Sequence, residues 1–124
     1  MKVIEAQLNP YSTLLFGASK QTHTAKVTIE TVLNHEWVQI YLGEMTSAQL
    51  IEAHTAALAA IHLKETNKEF TTKDQQTRFT VKTSKNFVPT FEFQSPEVCG
   101  KFTLADYGMQ KLRMAAALTL ASLR

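Results

Sequence analysis

The stretch from Thr103 to Arg124 carries the plainest helical period in the chain, and it carries it on two faces at once. At about 100° per residue, Ala105, Met109, Leu112, Ala116, Leu120 and Leu123 fall on one side. Leu104, Tyr107, Met114 and Leu118 fall on another. Polar residues are confined to a stripe of Asp106, Gln110, Arg113 and Arg124, with Lys111 on the opposite edge. A surface helix needs one apolar stripe; two stripes require cover from two directions. Gly108 and the run Ala115 to Ala117 leave room for another backbone to come close. The pattern therefore predicts a helix that packs on a sheet and also meets a second helix or a second copy of the chain. Thr103, with Asp106 three residues on, reads as its N-terminal cap. Leu104, Tyr107, Met114 and Leu118 are the candidate interface residues of a homodimer.

A second helix is expected from Thr46 to Lys64. It opens on the capping pattern Thr46-Ser-Ala-Gln49, and Leu50, Ile51, Ala57, Leu58 and Ile61 form its apolar face around His54. Each helix follows a pair of alternating segments. Ala25 to Val32 sets Ala25, Val27, Ile29 and Thr31 against Lys26, Thr28 and Glu30. Asn34-His35 makes the turn, and Glu36 to Leu42 returns with Val38, Ile40 and Leu42 opposite Trp37, Gln39 and Tyr41. Later, Phe79 and Val81 alternate with Arg78, Thr80 and Lys82; after a turn at Ser84 to Asn86, Phe91 and Phe93 alternate with Thr90 and Glu92. Two shorter strands, Lys2 to Leu8 and Thr13 to Phe16, precede these, joined by a turn at Asn9 to Ser12. Gly17 to His23 and Ser95 to Gly100 read as loops, and Lys68 to Gln76 as a connector or a poor edge strand.

These elements predict an α+β fold: one antiparallel sheet of five to six strands with both helices on one face, in ββα-ββα order. The chain reads as a single domain over residues 1–124, with 24–64 and 77–124 as the two halves of a pseudo-repeat. Val27-Thr-Ile-Glu-Thr31 is matched by Phe79-Thr-Val-Lys-Thr83.

The hydrophobic fraction of 44% and charged fraction of 19% are those of a globular protein with a core, not of a disordered chain. One cysteine, Cys99, precludes an internal disulfide and fits a reducing cytoplasm. Met1 to Leu15 has no secretory pattern, and the longest uncharged apolar run, Met114 to Leu123, is too short for a bilayer. The net charge of +2 is unevenly spread. Residues 1–62 hold three lysines against five glutamates, a net of −2; residues 63–124 hold ten basic against six acidic residues, a net of +4. A basic half can mark a polyanion-binding face, and ordinary domains show this much asymmetry too.

No catalytic signature is present: no Gly-x-Ser-x-Gly, no phosphate-binding loop, no dinucleotide fingerprint and no His-Glu-x-x-His. His23, His35, His54 and His62 are scattered, and His54 and His62 stand about 12 Å apart along a helix, too far to share a metal. Cys99 has no partner base nearby in sequence. The chain is read as a non-enzymatic protein without cofactor or metal; an enzyme using His54, Glu52 or Tyr41 is the weakest alternative.

The chemistry is instead expected on the sheet face opposite the helices, where Lys26, Trp37, Tyr41, Arg78 and Lys82 project, with Lys73 and Lys85 at nearby ends. Flat aromatic rings stack on bases, and Lys and Arg hold phosphates, so this mixture suits single-stranded DNA or RNA. Strand-rich units each closed by a helix, with Thr103-x-Ala105-Asp106-Tyr107 at the second helix start, resemble the PC4/Whirly type of single-strand-binding fold. The likeness covers five residues and an element order; that type's glycine- and lysine-rich strand signature is absent. The alternative reading is a phage or mobile-element protein that binds and inhibits a larger host protein or ribonucleoprotein complex, using apolar helix surface that one sheet does not consume.

Overall fold

The computed structural model describes residues 2–85 and 87–124; Met1, and Asn86 of the expected Ser84–Asn86 turn, lie outside them. The elements run β1 (Lys2–Asn9), β2 (Ser12–Ser19), β3 (Thr24–Leu33), β4 (Glu36–Met45), α1 (Ser47–His62), β5 (Thr66–Thr71), β6 (Arg78–Ser84), β7 (Phe87–Gln94), β8 (Cys99–Thr103) and α2 (Gly108–Ser122). The α+β class and the antiparallel pairing are those expected. The single sheet is not: the strands form two sheets of four, β1-β2-β3-β4 and β5-β6-β7-β8. The order is accordingly ββββα twice, and the ββα units expected over 24–64 and 77–124 are each preceded by further strands. The helices separate the sheets in a crossed manner. α1 packs against β5 and β6, α2 packs against β1 and β2, and the two helices pack on each other.

Short-range chemistry sets the hairpins. Asn34 and His35 take φ of 51° and 68°, the two left-handed residues of a two-residue turn that matches strand twist. At the β1–β2 turn the Tyr11 N–H donates to Asn9 Oδ1 at 2.8 Å, a local bond that fixes the reversal at Pro10-Tyr11. β2 runs on through Ser19, past the expected loop start, because Gly17 and Ala18 pair with Lys26 and Ala25 and are buried.

Each sheet turns one face inward. On the first, Ile4, Ala6, Leu8, Leu14, Val27, Ile29 and Leu42 make a largely aliphatic layer around the single ring of Phe16. On the second, Phe70, Phe79, Phe91 and Phe102 run across the strands, with ring centroids 4.9, 5.9 and 5.5 Å apart in succession. Gly100 lies on this inner face under the ring of Phe93, where a side chain would collide. Alanines fill the helix contact: Ala53, Ala56, Ala57 and Ala60 on α1, Ala115 and Ala116 on α2 are all buried. This is the close approach that the Ala115–Ala117 run implies.

Two corners join the sheets. At one, the Lys73 N–H donates to Glu44 O (2.7 Å) and the Thr77 hydroxyl to Leu42 O (2.6 Å). The bulge between them, Gly43 at φ 127°, brings the Thr72 side chain within 3.0 Å of where a Cβ would stand. At the other, Asn9 Nδ2 donates to Thr103 O (2.7 Å) and the Ala105 N–H to Leu8 O (2.9 Å). This second corner corrects the expected start of the C-terminal helix. Thr103 is the last residue of β8, the Leu104 N–H is taken by Pro89 O, and the helix opens only at Gly108 with Tyr107 as its cap residue. The first helix starts as read from the sequence, with the Thr46 N–H donating to Gln49 Oε1 at 2.8 Å.

Candidate nucleic-acid interface

The residues expected on one face lie on two. Lys26, Trp37 and Tyr41 project from the outer face of the first sheet. Arg78 and Lys82 project from the outer face of the second. The split follows from sheet membership, which alternation along a strand does not encode.

On the second sheet the outward residues fall in cross-strand rows. Thr71, Arg78, Gln94 and Cys99 form one row; Glu69, Thr80, Glu92 and Lys101 the next; Asn67, Lys82, Thr90 and Thr103 the third. Among the described residues no helix covers this face. It forms a shallow trough of about 580 Å³ lined by Asn67, Glu69, Arg78, Thr80, Lys82, Glu92, Gln94 and Lys101. Glu92 sits at its centre. Its Oε1 is 3.5 Å from Lys82 Nζ and 3.4 Å from Lys101 Nζ, so one carboxylate gathers two ammonium groups. Arg78 Nε stands 4.0 Å from Glu69 Oε2, a loose and exposed pair. Three cations against two carboxylates leave the trough one positive charge in excess. Lys85, beyond the Ser84 end of β6, is exposed and adds to that sign; Lys73, beyond the Arg78 end, is exposed too but stands next to the charged Asp74.

Lys101 is the member of this set that the sequence reading missed. It sits on β8, a five-residue strand whose first two residues fall in the expected Ser95–Gly100 loop and whose last, Thr103, is the expected helix cap. A signal was present, since Lys101 and Thr103 alternate with Phe102 and Leu104. The inward column was hidden by Gly100, a strand position with no side chain to mark it.

The first sheet's outer face differs. Trp37 and Tyr41 are 66% and 57% exposed. Their surroundings are acidic: Glu30 stands opposite Gln39, and Glu44 opposite Lys26. The Tyr41 phenol is held above its ordinary value by partial burial first, then by the negative charges of Glu44 and Asp74. Asp74 itself is held below the usual carboxylate range by the Gln76 N–H (3.0 Å) and the Thr72 hydroxyl (2.8 Å), which favour its charged form. Lys73 also belongs to this corner through its main-chain bond to Glu44.

The candidate interface residues separate too. Leu104 is buried beneath the start of α2, whereas Tyr107, Met114 and Leu118 lie exposed in a row along it. The residues of the enzymatic alternative do not converge: Glu52 and Tyr41 are exposed on different elements. Half-buried His54 lines a separate recess with Ala117, Leu120, Ala121 and Arg124. Cys99 is exposed on the outer side of β8. Among the described residues no group of three or more His, Cys, Asp or Glu side chains is placed to hold a metal ion. No helix among them is long and apolar enough to cross a membrane.

In comparisons with known proteins, no family model, no curated protein and no solved structure matches this chain.

Proposed function

We propose that the protein binds single-stranded nucleic acid along the outer trough of the second sheet, through its phosphates. The observation that carries this reading is the uncovered trough itself: Arg78, Lys82 and Lys101 line an open concave face, with Lys73 and Lys85 beyond the two ends of β6. An open groove with cations and neutral donors (Asn67, Thr80, Gln94) suits a flexible backbone better than a compact ligand. Trp37 and Tyr41 lie on the other sheet, so the binding is led by phosphate contacts rather than by stacking. Sequence preference is accordingly weak, because phosphate contacts position a strand without reading its bases.

The test is fluorescence anisotropy of labelled single-stranded DNA and RNA across a salt series. Each phosphate neutralised on a single strand contributes a slope of about −0.7 in log K against log salt, so three cations predict about −2. Lys82→Ala or Lys101→Ala flattens that slope by about 0.7 each. Absence of binding at low salt, or binding indifferent to salt, overturns the proposal.

A further inference from the structure

β4 is an edge strand, and only one end of it is guarded. The Gly43 bulge and the 72–77 loop occupy the outward carbonyls of Leu42 and Glu44. From Glu36 to Tyr41 the edge carries no proline, lysine or bulge, the devices that usually blunt such an edge. In a two-residue hairpin the residues flanking the turn exchange both hydrogen bonds, so Glu36, Val38 and Ile40 bond to β3. The main-chain N–H and C=O groups of Trp37, Gln39 and Tyr41 therefore point away from β3. Among the described residues no further hydrogen bond engages them. Trp37 and Tyr41 also place their side chains on the open face, while half-buried Val38 and Ile40 lie on the other, Ile40 packed against the core. On the face of the two rings stand Glu30 and Glu44 with Lys26, and Asp74 acts on Tyr41 from the 72–77 loop, which also carries Lys73, an excess of one acid there; Glu36 adds a further acid at the start of the strand, on the face of Val38 and Ile40.

We propose that the Glu36–Tyr41 edge docks an extended polypeptide segment of alternating basic and aliphatic residues, which adds as a fifth strand to the first sheet. Its main chain pairs with Trp37, Gln39 and Tyr41. Its basic side chains lie beside the two aromatic rings, where the rings attract cations and the acids complement them. Its aliphatic side chains extend the row of Val38 and Ile40. This surface lies on the other sheet from the nucleic-acid trough, so either assignment can fail without the other.

Trp37 is the only tryptophan, so its emission reports the docking directly. The probe is a synthetic peptide of repeating Lys-Val. It shifts Trp37 emission saturably in the full-length protein, more weakly as salt rises. A Glu-Val peptide binds more than about tenfold more weakly, because like charges then meet. A Lys-Val peptide N-methylated at alternate residues loses binding by a similar factor, because it cannot pair along the edge. The proposal is overturned if Lys-Val leaves the emission unchanged, if Glu-Val binds equally well, or if N-methylation has no effect. It is equally overturned if the emission depends on protein concentration alone, which identifies a second copy of this chain as the occupant. A shift of Trp37 emission with single-stranded DNA in place of the peptide also counts against it.

Discussion

Glu92→Gln is the substitution that best separates a phosphate-binding trough from a merely wet sheet face. Glu92 holds Lys82 and Lys101 at 3.5 and 3.4 Å, with its own side chain 31% exposed. In the free protein these two pairs are partly screened, and exposed pairs of this kind contribute about 0.2–1 kcal/mol each. A strand crossing the trough must compete with that carboxylate for both ammonium groups and also approach its negative charge. Removing the charge while keeping the shape therefore favours the complex by about 0.5–1.5 kcal/mol, a gain of roughly two- to tenfold in affinity at low salt. The free protein loses only the two weak pairs, so its thermal midpoint falls slightly. Anisotropy of a labelled oligothymidylate, with circular dichroism as the folding control, measures both. An affinity that stays level or falls in a folded Glu92→Gln protein refutes the reasoning, because it means that no phosphate passes near Glu92.

Three further outcomes are expected. Gly108→Ala places a Cβ 2.5 Å from the main-chain oxygen of Leu8 and 3.1 Å from Leu104; overpacking against backbone costs about 1–3 kcal/mol and lowers the melting temperature by about 5–10 °C in calorimetry. Glu44→Gln lowers the Tyr41 phenol part of the way toward its ordinary value, since burial is the larger cause and remains; ultraviolet titration of wild type and variant reads the difference, and an unchanged curve removes Glu44 as a cause. Leu118→Glu leaves stability within about 0.5 kcal/mol because the side chain is already 51% exposed. Light scattering of the same variant tests the homodimer: a mass that halves identifies the Tyr107, Met114 and Leu118 row as its interface, and an unchanged mass removes it.

What was legible in the sequence was local. The β3–β4 hairpin, with its period of two and its Asn34-His35 turn, could be read residue by residue, as could the Thr46–Gln49 helix start. β5 was obscured because Lys68 interrupts the inward column of Thr66 and Phe70, and an edge position tolerates that charge. β8 was obscured by Gly100, whose place is filled by the ring of Phe93 from the neighbouring strand. Thr103 read as a helix cap because its side chain suits one, yet its carbonyl is taken by Asn9 and the next two N–H groups by Pro89 and Leu8. Those partners lie far away in sequence, and no local pattern announces them. The same holds for the candidate site. Arg78, Lys82, Trp37 and Tyr41 were each correctly read as outward, but outward from which sheet depends on how the helices cross.

The central claim is that nucleic acid lies along the second sheet's outer face. Amide chemical-shift mapping during titration with a single-stranded oligonucleotide at low salt tests it most directly. The account predicts shifts concentrated at Asn67, Thr80, Lys82, Thr90 and Lys101, with the Trp37 indole N–H unmoved. Shifts centred on Trp37, Gln39 and Tyr41, or no shifts at all, would contradict it.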